Sequence, residues 1–440
     1  MKGVLVILDG VGDLPNKQLG GKTPLEAANL PNLDFLATRG ELGQLYTVKP
    51  GFIPESDEAI VSLFGNELIN STRGQLEVRG TDIKLTRGDL ALRLNFATID
   101  SLDNMKLIDR RVARTLTTAE AEIFSKAINK QIKLPFKFEF KNTIQHRGVL
   151  VFRGGFSDNI LGNDPTYSQG KYHVGDKIRP FKTLDDDENA QYTINVLNEF
   201  LEKVYRLLDK HPINEERRKK GLLPANYLLM RGAGIEPPKL KPYRKWMSVV
   251  YMPIEKGFAK TCGMNVFTFD YPKLKGIDAY KNLYEGLEKA CKVSIKTLKK
   301  QYKKSDYAYI HIKEPDVPGH DNKPFEKVKM LEYIDKTLFK FLRKFAPPKK
   351  INIVVTADHS TPCKLKDHSA DPVPVLFYNG SIPKRKEESK FTLPKFAKKK
   401  EEPEEKSEYK GIMFCEKEAE NGKLGKFNGK DFLKKVKFTK

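Results

Sequence analysis

Short apolar runs rich in β-branched residues recur along the chain, and they constrain its fold more than any other feature. Most of these runs are followed by Gly, Asp or His, which is typical of buried strands in a parallel sheet. Between several of them the apolar residues recur at three- and four-residue spacing, which predicts amphipathic helices. Strands that alternate with helices in this way indicate an α/β layered domain with a mainly parallel sheet. The predicted strands are Val4–Leu8, Gly148–Phe152, Tyr227–Met230, Tyr307–Ile312, Ile351–Thr356 and Val373–Tyr378, and the predicted helices cover 189–208, 283–300 and 327–345.

The middle of the chain has a different pattern. Between about residues 94 and 182, short alternating segments such as Phe136–Lys141 and many turn residues replace the long helical periods. We therefore expect a smaller α+β unit at 94–182, inserted into a discontinuous core domain made of 1–93 and 183–440. Residues 383–410 mix Lys, Glu and Pro without an apolar face, which predicts a charged, exposed segment.

The chain carries 79 basic and 57 acidic residues, which gives a formal net charge of +22. Such a charge suggests a nucleic-acid partner, but the lysines are spread along the whole chain and no nucleic-acid-binding motif accompanies them, so we expect none. No apolar stretch approaches 18 residues, which argues against a transmembrane helix. The four cysteines lie far apart without a CxxC pair, which argues against a disulfide framework and favours a cytoplasmic protein.

Carboxylate and imidazole side chains follow three of the predicted strands. Ligands bind at the carboxyl ends of the strands in open α/β sheets, so these groups are expected at one edge. Any one of them alone would more often be structural, and Asp9 could simply cap the next element. Their joint occurrence at strand ends instead favours a metal site. The candidates are Asp9, Asp316, His320, Asp358, His359 and His368.

Crowded carboxylates repel one another unless a divalent cation neutralises them. Asp and His ligands suit Mn²⁺, Zn²⁺, Fe²⁺ or Mg²⁺. Six such groups are more than one ion needs, and two neighbouring ions are the usual arrangement for phosphoryl chemistry. The sequence therefore predicts a two-metal site.

Ser56 is the candidate nucleophile, because it precedes a helical run at Ala59–Leu63. Backbone N–H groups and the helix dipole favour an anion at such a position. A metal-bound hydroxyl can become a nucleophile at neutral pH. The alternative is an ordinary N-cap serine.

Arginines are sparse but clustered in the predicted inserted unit, at Arg110, Arg111, Arg114, Arg147 and Arg153. Each guanidinium offers a planar fork to phosphate or carboxylate. The alternative for any one of them is a surface salt bridge. A small substrate that carries both anionic groups would need several.

At this point the chain resembles the cofactor-independent phosphoglycerate mutases of the archaeal type, within the alkaline phosphatase superfamily. The resemblance spans nearly the whole chain, and the block TADHSTPC with HSADPVPVL is its most specific part. Other matching segments are ILDGVGD, PESDEAIVSLFG, DRRVART, HRGVLVFRG, SDNILGNDP, EKGFAKTCGM and HIKEPDVPGHD.

The resemblance implies a three-layer alkaline-phosphatase-like core with an inserted domain, and interconversion of 3-phosphoglycerate and 2-phosphoglycerate in glycolysis and gluconeogenesis. It implies that Ser56 is transiently phosphorylated and that no 2,3-bisphosphoglycerate is needed. Mn²⁺ is the implied metal, with Zn²⁺, Mg²⁺ and Co²⁺ as alternatives. One implied ion is held by Asp316, His320 and His368, and the other by Asp9, Ser56, Asp358 and His359.

The resemblance also implies a small-molecule substrate as the partner and a set of residues that bind it. It implies no membrane partner, and it leaves both a monomer and a homo-oligomer open. Two segments depart from the family pattern: Glu314-Pro315 stands where Thr or Ser usually precedes the metal Asp, and Asn163–Thr166 lacks a usual His. A metal-dependent phosphatase, phosphodiesterase or phosphopentomutase on the same scaffold remains the alternative. The implied substrate-binding residues are Arg110, Arg111, Arg114, His146, Arg147, Asp158, Asn159, Asp164, Arg231 and Lys256.

Overall fold

The structure, a computed structural model, describes residues 1–70, 72–165, 172–274, 278–380 and 411–438. The strands are β1 Gly3–Leu8, β2 Glu41–Tyr46, β3 Leu90–Ile99, β4 Leu107–Asp109, β5 Phe138–Asn142, β6 Arg147–Phe152, β7 Ile160–Leu161, β8 Lys182–Thr183, β9 Tyr227–Gly234, β10 Trp246–Val249, β11 Asn265–Phe267, β12 Tyr307–Ile312, β13 Asn352–Thr356, β14 Val373–Tyr378 and β15 Gly425–Asn428.

The helices run between these strands, as the alternating pattern predicted. The predicted charged segment 383–410 lies outside the described residues. The helices are α1 Pro24–Ala27, α2 Pro31–Thr38, α3 Ser56–Leu63, α4 Arg73–Arg79, α5 Thr118–Gln131, α6 Glu188–Asp209, α7 Pro212–Lys219, α8 Pro253–Thr261, α9 Ala279–Gln301, α10 Asp316–His320, α11 Pro324–Ile334, α12 Lys340–Phe345, α13 Glu416–Glu420 and α14 Phe432–Lys435. A short π-helical stretch, Asp335–Phe339, joins α11 to α12.

The larger sheet has eight strands in the order β11-β10-β12-β1-β13-β14-β2-β15. Its strands are parallel except β14, which runs antiparallel to both β13 and β2. β14 was expected among the parallel strands, and this expectation is wrong for it. Residues 357–372, which connect β13 to β14, contain no helix that could carry the chain back for a parallel crossover, so β14 runs in the opposite direction. The predicted α/β class with a mainly parallel sheet is confirmed.

A second, smaller sheet is antiparallel and centres on the ten-residue strand β3, which pairs with β4, β6 and β9 while β5 pairs with β6. Two of the predicted parallel strands, 148–152 and 227–230, belong to this sheet, so that part of the prediction is wrong. An apolar run with turns on both sides is consistent with a buried strand of either kind of sheet.

Each sheet has its own apolar core. The core of the smaller sheet contains side chains from Leu90 through Met230, including the apolar face of α6. We therefore propose that the inserted unit extends over about 90–234 instead of 94–182. The long helical period of α6 resembles the helices of the core domain, which is why the sequence pattern places it there.

The site takes its position from three adjacent strands, because β1 lies between β12 and β13 and is parallel to both. Leu8 pairs with Ile312, and Ile7 pairs with Thr356, so the three strands end at the same edge. None of the helices within the described ranges is both long and apolar enough to cross a membrane.

Candidate active site

One group of metal-ligating side chains comes from α10 and from the loop before β14. Asp316, His320 and His368 each offer a ligand atom within 4.8 Å of the others. His320 Nε2 lies 3.3 Å and His368 Nε2 lies 3.9 Å from an Asp316 carboxylate oxygen. The Nδ1 atoms of the two rings contact the backbone oxygens of Lys366 and Pro54, at 3.1 and 2.8 Å. Backbone partners of this kind fix the ring orientation and turn Nε2 toward a metal.

A second group lies at the ends of β1 and β13. Asp9, Asp358 and His359 offer ligand atoms within the same span, and all three residues are buried. His359 Nε2 lies 3.2 Å from Asp9 Oδ1 and 3.5 Å from Asp358 Oδ2. The rings of His359 and His368 stack with their centroids 3.6 Å apart, so the two groups adjoin.

Thr361 connects the two groups. Its hydroxyl contacts His359 Nδ1 at 3.0 Å and donates to Asp316 Oδ1 at 2.7 Å. Gly10 lies against the same atoms with a φ of 58°, and a Cβ there would meet Asp316 Oδ1 at 2.5 Å and Thr361 Oγ1 at 2.6 Å. Only glycine adopts this backbone conformation at low cost and leaves the space open.

The donor set fits divalent cations. Asp9 Oδ1 and Asp358 Oδ2 are buried, and neither accepts a hydrogen bond within the described ranges. Burying a carboxylate without such compensation is costly unless a cation is bound. Burial opposes ionisation of Asp316, but its three histidine neighbours hold the pKa of that carboxyl well below its usual range. These oxygen and nitrogen ligands, without a thiolate, suit Mn²⁺, Zn²⁺ or Mg²⁺.

Ser56 is the first residue of α3, and Glu55 is the N-cap. The alternative of an ordinary serine N-cap therefore does not describe this residue. The Ser56 hydroxyl lies 3.3 Å from His359 Nε2 and 3.3 Å from Lys313 Nζ. It thus lies at a helix N-terminus, beside the second group of ligands, where an anion is favoured.

A cleft of about 1280 Å³, including its part open to solvent, lies between the two sheets. Asp9, Ser56, Asp316, His320 and His368 open into it from the larger sheet. The side chains from the smaller unit are mainly basic: Arg93, Arg111, Arg114, His146, Arg147 and Arg231.

Three of the predicted substrate-binding residues lie together on the cleft wall: Arg111, His146 and Arg147. Within the described ranges neither arginine has an ion-pair partner in the cleft. Burial, followed by the nearby arginines, holds the pKa of His146 well below its ordinary value, so this ring is neutral. Arg111 and Arg147 therefore leave two guanidinium groups in this part of the cleft that could bind an anion.

Four other predicted residues are committed to ion pairs. Arg231 binds Glu55 through contacts of 2.7 and 2.9 Å, and Arg110 binds the fully buried Asp164 at 2.6 Å. Arg114 donates to Asp321 across the cleft at 2.9 Å. The pairs of Arg231 and Arg114 connect the smaller unit to α3 and to the loop after α10, whereas the pair of Arg110 lies within the smaller unit.

The remaining predicted residues lie outside the cleft lining. Asp158 accepts a hydrogen bond from the Ile235 backbone at 2.9 Å, and Asn159 contacts Asp185. Lys256 is half-buried, and its pKa is lowered first by burial and then by Lys260. The structure therefore does not bring these three together with Ser56.

Sequence reasoning missed three residues that lie close to Asp9 of the second group: Glu255, His311 and Lys313. It also missed Arg73, whose guanidinium binds Glu55 at 2.7 Å and Glu77 at 2.8 Å. Lys313 directly precedes Glu314-Pro315, the segment that departs from the family pattern, and this departure was the signal nearest to it in the sequence. His311 lies inside β12, and its type alone gave no such signal.

The comparisons with known proteins agree with this geometry. A family model described as 2,3-bisphosphoglycerate-independent phosphoglycerate mutase matches residues 37–214. A protein of that name from Pyrococcus furiosus is 39% identical, over 98% of this chain and 95% of the relative. The chain belongs to this family. It is therefore an isomerase, as the resemblance of its motifs implied.

Two solved structures show that this chain also resembles known proteins in its fold. A protein from Pyrococcus horikoshii superposes with a TM-score of 0.70 at 30% identity and covers 100% of this chain and 98% of its own. A cofactor-independent phosphoglycerate mutase from Thermoplasma acidophilum superposes with a TM-score of 0.53 at 26% identity, with 99% and 98% covered.

Proposed function

We propose that this chain interconverts 3-phosphoglycerate and 2-phosphoglycerate, through a phosphoserine formed at Ser56 between two divalent metal ions. The names of its relatives support the reaction. The observation that carries the mechanism is the Ser56 hydroxyl, 3.3 Å from His359 at a helix N-terminus that opens into a basic cleft. In this proposal the enzyme acts in cytoplasmic glycolysis and gluconeogenesis.

The two ligand groups divide the metal ions between them. Asp316, His320 and His368 would hold one ion, and Asp9, Ser56, Asp358 and His359 would hold the other. When bound, the ions neutralise the phosphoryl oxygens and lower the pKa of the Ser56 hydroxyl. Mn²⁺ is the proposed metal, and the ligand types also accept Zn²⁺, Mg²⁺ and Co²⁺.

The residues of the chain perform the transfer in two steps. Ser56 Oγ loses its proton and attacks the phosphorus in line, the bond between phosphorus and the glycerate oxygen breaks, and that oxygen takes up a proton. Arg111 and Arg147 hold the freed glycerate by its carboxylate while it turns. Its other hydroxyl then loses its proton and attacks the phosphoserine, and the bond to Ser56 Oγ breaks as that oxygen takes up a proton, which regenerates the serine.

Water must be excluded while the phosphoserine exists, because hydrolysis would convert the mutase into a phosphatase. The ion pair of Arg114 with Asp321 and that of Arg231 with Glu55 hold the smaller unit over the site.

The proposed reaction is tested by incubating the protein with 3-phosphoglycerate and Mn²⁺. The formation of 2-phosphoglycerate, coupled to enolase, is compared with the release of phosphate. Release of phosphate without 2-phosphoglycerate would establish a phosphatase instead.

The Ser56→Ala variant tests the nucleophile. We expect it to keep its fold and bound metal and to lose all mutase turnover, because no oxygen remains to accept the phosphoryl group. The control is Ser294→Ala, since Ser294 is a buried serine of α9 without a hydrogen-bond partner for its hydroxyl within the described ranges. Measurable mutase activity in a pure Ser56→Ala preparation would refute the assignment.

A further inference from the structure

A third group of potential ligands lies behind the two described above. Asp9, Glu255 and His311 offer ligand atoms within 4.8 Å of one another. All three residues are buried, with 1% of the surface of each exposed. Glu255 belongs to α8 and His311 to β12, and neither is part of the two proposed ligand sets.

The polar atoms of this group lack ordinary partners. Glu255 Oε2 and His311 Nε2 are buried and form no hydrogen bond within the described ranges. The other ring nitrogen of His311 contacts the Tyr309 hydroxyl at 2.8 Å, which turns Nε2 toward Asp9 and Asp358, at 3.7 and 3.5 Å. Such buried, unsatisfied groups indicate a position that is built for a cation.

A side chain of the same molecule already reaches this position. Lys313 Nζ forms an ion pair with Glu255 Oε1 at 2.8 Å and with Asp9, and it lies 3.9 Å from Asp358 Oδ2. It also donates to Ser56 Oγ at 3.3 Å. One ammonium group therefore joins the third group of ligands to the proposed nucleophile.

We propose that Asp9, Glu255 and His311 form a third cation position, and that Lys313 fills it with its ammonium group in place of a third divalent ion. The inference rests on the proposed function, since Asp9 is shared with the second metal. Lys313 places its charge beside the oxygen that carries the phosphoryl group. It thus supplies a positive charge of the kind that the family resemblance implied at Lys256, whose side chain lies outside the cleft lining.

The test counts the Mn²⁺ ions bound to the full-length protein after dialysis against Mn²⁺. The metal is measured by elemental mass spectrometry and divided by the protein concentration, which is measured separately. Lys313→Ala removes the ammonium and leaves space, so we expect one more bound ion than in the unsubstituted chain. Lys313→Met fills the space without charge, and Lys256→Ala alters the neighbouring lysine outside the cleft. Both are expected to leave the count unchanged.

Adding Glu255→Gln to Lys313→Ala is expected to abolish the additional ion, because it removes a charged ligand. An unchanged or lower count in Lys313→Ala would overturn the proposal. Lys313→Ser gives the same reading if the alanine variant does not fold. The two-metal centre is judged separately, because it fails if the unsubstituted chain binds fewer than two ions, whereas the third position is judged by the difference between variants.

Discussion

At the scale of single residues, Thr361 joins the two ligand groups of the proposed metal centre. Its hydroxyl links His359 of one ligand group to Asp316 of the other. Thr361→Val keeps the shape of the side chain and removes both hydrogen bonds, so we expect metal affinity to fall about 10–100-fold. Calorimetric titration of the metal-free protein with Mn²⁺ measures this, and Thr361→Ser should bind as the unsubstituted chain does. Equal affinity of the valine variant would show that the link has no effect on the metals.

Glu416 gives a prediction on pH at the same scale. Burial raises the pKa of this carboxyl to about 7, although hydrogen bonds from Thr23 and from the Asp13 backbone oppose the rise. Because the folded state holds the proton more tightly than the unfolded state, its contribution is fully present below about pH 4.5 and is lost as the pH rises through about 7.

Glu416→Gln mimics the protonated carboxyl. We therefore expect the free energy of unfolding of the unsubstituted chain to fall, relative to this variant, by about 1–3 kcal/mol between pH 5 and pH 8. Urea denaturation at both pH values measures the difference. Parallel pH profiles for the two proteins would contradict the raised pKa.

At the scale of elements, helix α11 holds the two loops that carry proposed metal ligands. Lys327 is fully buried and binds Asp13 at 2.8 Å, in the loop after β1. It also donates to the Thr361 backbone oxygen at 3.1 Å, in the loop after β13, where Asp13 in turn accepts from the Cys363 backbone. A single ion pair therefore fixes Asp9 and His359 relative to one another.

Lys327→Met leaves Asp13 charged and buried without its cation. We expect a loss of about 3–5 kcal/mol in the free energy of unfolding, and weaker metal binding. The double variant with Asp13→Asn removes the uncompensated charge and should recover part of the stability. Denaturation of both variants decides the point, and a double variant less stable than Lys327→Met would show that the charge pair is not the cause.

The elements also show how far a sequence can be interpreted. β1, β12 and β13 were predicted because each is a short apolar run that is followed within four residues by Asp, and their adjacency brings the six metal-site candidates together. β14 and two strands of the smaller sheet were predicted to be parallel strands and are antiparallel. Strand direction depends on pairing between residues that are far apart in the chain. Lys313 and Glu255 were missed because a lysine or glutamate beside a motif is ordinary on a surface, and only burial makes it significant.

At the scale of the whole molecule, an ion pair joins the smaller unit to the loop that follows α10. Arg114 from the smaller unit binds Asp321, and Tyr280 of α9 donates to the same carboxylate at 2.9 Å. Arg114 and the two residues before it have φ values of 57°, 49° and 53°, a left-handed conformation that costs about 1–2 kcal/mol per residue. The chain therefore accepts local strain at the point where its two units meet above the site.

This arrangement predicts that the pair protects the proposed phosphoserine from water. Asp321→Ala and Arg114→Ala are each expected to raise the ratio of phosphate released to 2-phosphoglycerate formed, by about tenfold if the contact contributes about 1.4 kcal/mol to the closed arrangement. The double variant should be no worse than the more severe single variant, because both remove the same contact. The enolase-coupled assay and a phosphate assay on one sample measure the ratio. Additive effects would mean that Arg114 acts on the substrate itself, as its sequence suggested, and not through Asp321.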